Sequence, residues 1–253
     1  MRTANPALNK KTFAKAHAGI IPTGEVMTLN GTVNKSIMLL GILVISALWP
    51  WYKFFSFADP AVAQSSVMGF LIGGLIGGLI FAMITIFRPK SAAITAPIYA
   101  ILEGLFLGAI SAVFESMYPG IVIQAIALTF GIFFALLMAY KSGLIKATEN
   151  FKLGIVAATG GIFIVYMATM VLGFFGVNIP YIHGSGIVGI GFSLFVVVIA
   201  ALNLVLDFDF IEHGAETGEP KYMEWYAAFG LIVTLVWLYI ELLRLLSKLH
   251  SRN

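Results

Sequence analysis

Seven predominantly apolar stretches of roughly 20 residues follow one another along the chain, at about 36–57, 66–87, 92–114, 121–140, 153–177, 186–211 and 225–247. An α-helix rises about 1.5 Å per residue, so each stretch is long enough to cross the roughly 30 Å hydrocarbon core of a bilayer. In lipid every backbone N–H and C=O must be bonded within its own segment, which makes these runs helices. Between them come the breakers and charges: Pro50, Asp59-Pro60, Arg88-Pro89-Lys90, Pro119-Gly120, Lys141 to Lys152, Asn178 to Gly184, and Glu212 to Glu224. Pro97 lies inside the third run and is tolerated in the first turn or two of a helix. The expected fold class is all-α, a polytopic membrane protein built as a seven-transmembrane-helix bundle.

Composition agrees that lipid is the solvent. The chain is 60% hydrophobic and 11% charged, against about 25% charged residues in a soluble domain. It has no cysteine, which excludes a disulfide framework and a cysteine-based zinc or redox site. The first 35 residues are polar and carry Arg2, Lys10, Lys11, Lys15 and Lys35. They lack the apolar core of a cleaved signal peptide. The expectation is a mobile basic cytoplasmic tail over 1–35, ahead of a transmembrane domain over 36–250. A mitochondrial-type presequence is the alternative for a basic segment whose single acid is Glu25.

Lys and Arg set the orientation. Five precede the first run, two lie between the second and third, and three between the fourth and fifth, whereas the alternate gaps hold Lys53 alone. The N-terminus is therefore expected in the cytoplasm of a cell whose inner membrane the chain crosses, with the C-terminus outside. Lys221, Lys248 and Arg252 run against this, and a seventh run that dipped in without crossing would return the tail inside. Trp49, Trp51, Trp225 and Trp237 suit an interfacial belt.

Gly69, Gly73 and Gly77 recur every four residues in the second run and form a smooth stripe where another helix can approach. Gly160-Gly161, and Gly184, Gly186, Gly189 and Gly191, suggest the same. Tight packing is the ordinary reading and a substrate-lining role the rarer one. No internal repeat is evident, which disfavours a secondary transporter.

Chemistry in lipid rests on ionisable residues within the spans. Five carboxylates qualify: Glu103, Glu115, Asp207, Asp209 and Glu241. No Arg, Lys or His lies mid-span in runs one to six, so their acids lack an evident partner. An unpartnered acid in low dielectric takes up a proton or holds a cation. Asp207 and Asp209 are two residues apart, about 200° around a helix, and cannot share a face. Asp207 stacks one turn from Asn203 in a polar patch, as a functional site or a helix-end acid, while Asp209 faces elsewhere. Glu241 lies on one face with Thr234 and with Arg244 at i+3, which leaves open an intrahelical ion pair or an interior proton or ion site. Glu103, one turn after Tyr99 and beside Gly104 and Gly108, either bonds a neighbouring helix or acts as a site.

The four histidines lack zinc-ligand spacing. Asp207-Phe208-Asp209 lacks the glycine and distal glutamate of an EF-hand. No phosphate-binding loop, nucleophile elbow or HExxH motif occurs. The expectation is no catalytic residue, no enzyme and no cofactor beyond calcium or protons as moved or sensed ions. The lipid bilayer is the expected partner, and nucleic acid is not.

Leu204-Val205-Leu206-Asp207-Phe208-Asp209-Phe210-Ile211-Glu212, Tyr222-Met223-Glu224-Trp225-Tyr226 and Trp237-Leu238-Tyr239-Ile240-Glu241-Leu242-Leu243-Arg244-Leu245-Leu246 together resemble a bacterial branch of the Bax inhibitor-1-like (transmembrane Bax inhibitor motif) family. Ala100 to Gly108 resembles that family's third helix, and the likeness covers roughly residues 36–247. It implies a bundle with helix seven central, and an acid pair from helices six and seven that senses protons and gates a calcium leak. By local pattern the pair is Asp207 and Glu241, as a weak calcium site. Asp209 and Glu103 are further sensing acids, and Arg88 or Arg244 is the base that holds the pair closed. This chain departs from the pattern in having glutamate as the second acid and in a longer spacing. With a turn near Gly218, Glu241 stands about 15 Å deeper than Asp207. The two then meet only if 212–228 folds back or helix seven starts late. The function implied is a pH-responsive membrane cation leak. The alternative is a regulatory membrane protein that modulates a membrane-bound partner, such as a protease, through its basic tail.

Overall fold

A computed structural model of the chain describes residues 25–176 and 184–252, without the side chain of Phe174. Among the described residues seven helices are long and apolar enough to cross a membrane. They are α1 (Leu29–Phe55), α2 (Pro60–Phe87), α3 (Ala92–Met117), α4 (Ile121–Lys141), α5 (Glu149–Phe174), α6 (Ile187–Glu216) and α7 (Met223–His250). A short 3-10 turn, Pro89–Ser91, leads into α3. The bundle expected from the hydrophobic runs is present, and α7, at 28 residues, is long and apolar enough to cross.

Local chemistry sets the helix starts earlier than hydropathy alone. Thr28 caps α1, Asp59 caps α2 with Pro60 at its first position, and Thr148 caps α5. Each side-chain oxygen accepts an N–H that the helix leaves unpaired. Pro50 is not a gap residue as expected but lies buried inside α1, as prolines in membrane helices can when neighbouring groups resatisfy the backbone. Residues 25–35 of the expected mobile tail cap and begin α1, because Thr28 supplies an N-cap well before the apolar run. Residues 1–24 of that expectation, and most of the Asn178 to Gly184 gap, lie outside the described residues. The α6–α7 connection neither folds back nor delays α7. Helix α6 continues to Glu216, and Gly218, at φ 67°, makes the turn.

The chain forms two compact units. Of the described residues, one gathers 123–209 with the stretch from Val233 onward, and the other gathers 25–122 with Phe210–Ile232. In the second, α3 packs against both α1 and α2. A Cβ on Gly104 would lie 2.3 Å from the Leu43 carbonyl oxygen, and one on Gly108 would lie 2.1 Å from that of Ala47. The Gly104 and Gly108 pair, four apart, is thus the smooth seat for α1. On α2 the close approach falls at Gly74, where a Cβ would lie 2.6 Å from the Leu102 carbonyl oxygen, and at Gly78. Of the stripe expected at 69, 73 and 77, Gly69 and Gly73 have nothing within 4 Å, whereas a Cβ on Gly77 would lie 3.1 Å from the Leu102 side chain. The stripe is thus packed only at its end and is joined there by Gly74 and Gly78. Gly160, Gly161, Gly186 and Gly191 also have nothing within 4 Å. Glycine spacing fixes a stripe's period, while the facing helix decides which stripe is used.

In the first unit Ile155 and Ile162 of α5 pack with Val196, Ile199 and Leu206 of α6. Phe133 and Tyr140 of α4 set their rings against Phe208 at 5.6 and 5.9 Å. Of the seven helices α7 is the most buried, followed by α3 and α6.

Candidate functional site

Three of the four sensing acids expected from the sequence lie in the unit that holds most of α6 and the second half of α7. Asp207 is fully buried. One turn earlier Asn203 is also buried, and its amide donates to Thr159 Oγ1 at 3.0 Å and to the Ile199 carbonyl at 2.8 Å. The inward polar patch read from the Asn203–Asp207 spacing is therefore formed, with α5 as its neighbour through Thr159.

Asp209 corrects the expectation that acids of the first six spans lack a basic partner. Its Oδ2 lies 2.7 Å from Lys152 Nζ, and the lysine is itself buried. The reason is local: α5 begins at Glu149, so Lys152 belongs to its first turn rather than to a solvated loop. A buried pair of this kind neutralises itself and leaves Asp209 a structural acid.

Glu241, buried on α7, is clasped. Arg244 Nη1 donates to its Oε1 at 2.9 Å, and the Tyr166 hydroxyl donates to the same atom at 3.0 Å. Arg244 also donates to the Tyr166 oxygen at 2.9 Å, closing a three-membered ring of contacts. The i+3 ion pair read as one alternative is formed. Oε2 is buried and meets no partner at bonding geometry among the described residues, with the Trp237 indole beside the carboxylate. One turn beyond Arg244, Lys248 is buried and donates to the Gly189 carbonyl at 3.1 Å and to Ser193 Oγ at 2.8 Å.

That last contact fixes how α6 and α7 pass each other. Asp207 lies fourteen residues after Ser193, and Thr234 fourteen before Lys248. Asp207 is thus level with about Thr234, and Glu241 lies about 10 Å further along α7. Counted this way, the two acids are offset by about two turns along their helices, against the level pairing that the family resemblance implied. Among the described residues no three His, Cys, Asp or Glu converge on a metal position. The extra residues between them take them out of register, because the connection adds no fold-back to compensate.

Glu103 lies in the other unit, on the buried face of α3. It is 8% exposed and among the described residues makes no hydrogen bond or ion pair. A Cβ on Gly78 would lie 2.7 Å from its Oε2, so the carboxylate points at the glycine face of α2. Thr95, Tyr99, Glu103 and Ser111 are all buried and fall at four- and eight-residue steps along α3, a polar seam inside an apolar helix. At one end of the seam Thr95 accepts from Thr85 of α2 at 2.8 Å. Tyr99 is held edge-on by Phe229 at 5.0 Å. Glu115, by contrast, is structural: its oxygens accept the Gly120 and Val122 N–H groups at 2.6 and 3.0 Å, capping α4.

Of the two bases offered as a closing partner, Arg244 contacts an acid, whereas Arg88 is exposed at the end of α2. Sequence reasoning missed Tyr166, Lys152, Lys248 and Ser193. A tyrosine in an apolar run carries no distinguishing pattern, and both lysines sit at span ends, where they read as solvated.

The sequence model of the family described as Bax inhibitor 1 like matches residues 5–251 of the chain. No curated protein and no solved structure matches it.

Proposed function

Because the chain belongs to the Bax inhibitor 1 like family of membrane proteins, we propose that it is a cation leak, for calcium first, whose opening responds to protonation of intramembrane carboxylates. One observation carries this reading. Glu103 is a buried acid in a membrane helix with no fixed positive neighbour among the described residues. Such a carboxyl exists either as a neutral acid or as a carboxylate beside a mobile cation, since an isolated charge in low dielectric is costly. Switching between the two changes what the polar seam of α3 can hold.

Asp207 and Glu241 act as further, separate sites. Arg244 and Tyr166 hold Glu241 in the resting arrangement, and a proton on that carboxyl would remove the charge that retains Arg244. A local charge change of this kind biases a two-state bundle. The ion is cargo, so separate single carboxylates along its way suit it better than a closed cage of six to eight oxygens. In this reading the protein lies in a bacterial inner membrane with its N-terminus cytoplasmic, as the distribution of Lys and Arg supports, and it acts without catalytic residues or a resident cofactor.

The test is calcium flux into dye-loaded liposomes at an acidic and a neutral pH. Wild-type protein should pass calcium at rates that differ between the two. Glu103→Gln, and separately Asp207→Asn with Glu241→Gln, should flatten the difference. Equal, pH-independent flux from all three proteins would end the reading.

A further inference from the structure

The segment ahead of α1 is tied to the connection between α6 and α7, and a single carboxylate makes most of the tie. Glu224 stands in the first turn of α7 with its side chain fully buried. Its Oε1 accepts the Thr28 N–H at 3.0 Å and the Thr28 hydroxyl at 2.9 Å. Its Oε2 meets the Lys35 ammonium, and Lys221 Nζ lies 3.5 Å from Oε1. Lys35 also sits over the Trp225 ring, 5.5 Å from its centroid. Thr28 is in turn the N-cap of α1, accepting the Gly31 N–H at 3.0 Å. One acid therefore serves the N-termini of two helices, each of which presents unpaired N–H groups and partial positive charge.

The backbones add to the tie. The Met27 N–H donates to the Glu219 carbonyl at 2.6 Å and the Lys221 N–H to the Glu25 carbonyl at 3.1 Å, around an antiparallel bridge between Val26 and Pro220. Met27 is buried beneath it. At Gly31 a Cβ would stand 2.1 Å from Glu224 Oε1, so the carboxylate can occupy its place only because position 31 has no side chain.

This arrangement is more than a cap. A buried carboxylate is stable only while its donors and cations are all in place, and removing one leaves charge that the others cannot cover. The contacts of Glu25, Met27, Thr28 and Lys35 therefore form and break together. We propose that Glu25–Lys35 is a latch closed on the first turn of α7, the helix that also carries Glu241 and Arg244. Four basic residues, Arg2, Lys10, Lys11 and Lys15, precede the latch with no acid among them.

Hydrogen exchange on the full-length protein in lipid nanodiscs tests this. In Thr28→Val and in Gly31→Ala, amides of residues 25–35 and 219–226 should speed up together, by about tenfold as the loss of one or two hydrogen bonds implies, while α2 stays unchanged. Acceleration confined to residues 25–35 would overturn the latch. The chain has no native cysteine, so Val26→Cys with Pro220→Cys gives a second arm: oxidation should cross-link the pair and restore slow exchange in the Gly31→Ala background. Failure to cross-link in the otherwise unaltered chain would also overturn it. Neither readout involves an ion, so the latch and the leak can fail independently.

Discussion

Arg244 and Tyr166 converge on one oxygen of Glu241, at 2.9 and 3.0 Å, and leave the other buried outside bonding geometry. The carboxylate is thus half satisfied. A fully paired acid would be inert scaffolding, and a wholly unpaired one would be costly to keep charged. On the reading proposed above, a proton or a movement of Arg244 tips this half-held state.

Removing the phenol tests how much of this clasp is structural. Tyr166→Phe deletes one donor to a buried carboxylate and one acceptor for Arg244, and should cost about 1–2 kcal/mol. Arg244→Met should cost more than Tyr166→Phe, since it leaves the acid without its cation. Thermal unfolding of the purified protein in one detergent ranks the two, and equal or reversed effects would show that Arg244 is screened by solvent.

Lys152 and Asp209 should behave as a coupled pair. Lys152→Met alone is expected to destabilise by about 3 kcal/mol, because Asp209 is left charged in a mostly buried place. Adding Asp209→Asn should recover most of that loss. A double-mutant cycle gives the coupling directly, and additive effects would mean that the 2.7 Å contact carries no net energy.

The glycine contacts predict an ordering of alanine substitutions. Gly108→Ala forces a methyl into the Ala47 carbonyl and should destabilise by about 1–3 kcal/mol, as overpacking does. Gly73→Ala meets nothing within 4 Å and should be neutral or slightly stabilising, because alanine is the better helix former. Unfolding temperatures of the two variants decide the matter.

The seven spans were legible in the sequence because lipid leaves the backbone no alternative to helices, and apolar runs of sufficient length announce them. Helix starts were less so, since Thr28, Asp59 and Thr148 cap ahead of the apolar stretches and hydropathy does not register a cap. Within the site the i+3 spacing of Glu241 and Arg244 revealed their pair. Lys152 and Asp209 could not be matched, because nothing local links residues 57 positions apart. The same holds more strongly for Thr28 and Glu224, which lie 196 positions apart and meet only once the chain has folded. The pairing of Asp207 with Glu241 rested on the family resemblance, and the Lys248–Ser193 contact offsets the two acids by about 10 Å along their helices.

The whole account depends on Glu103 exchanging a proton while out of contact with water. The most direct measurement is the infrared difference spectrum of the reconstituted protein between neutral and acidic pH, recorded for wild type and for Glu103→Gln. A protonated-carboxyl carbonyl band that rises on acidification and shrinks in the variant is the predicted result. A band identical in the two proteins would contradict it.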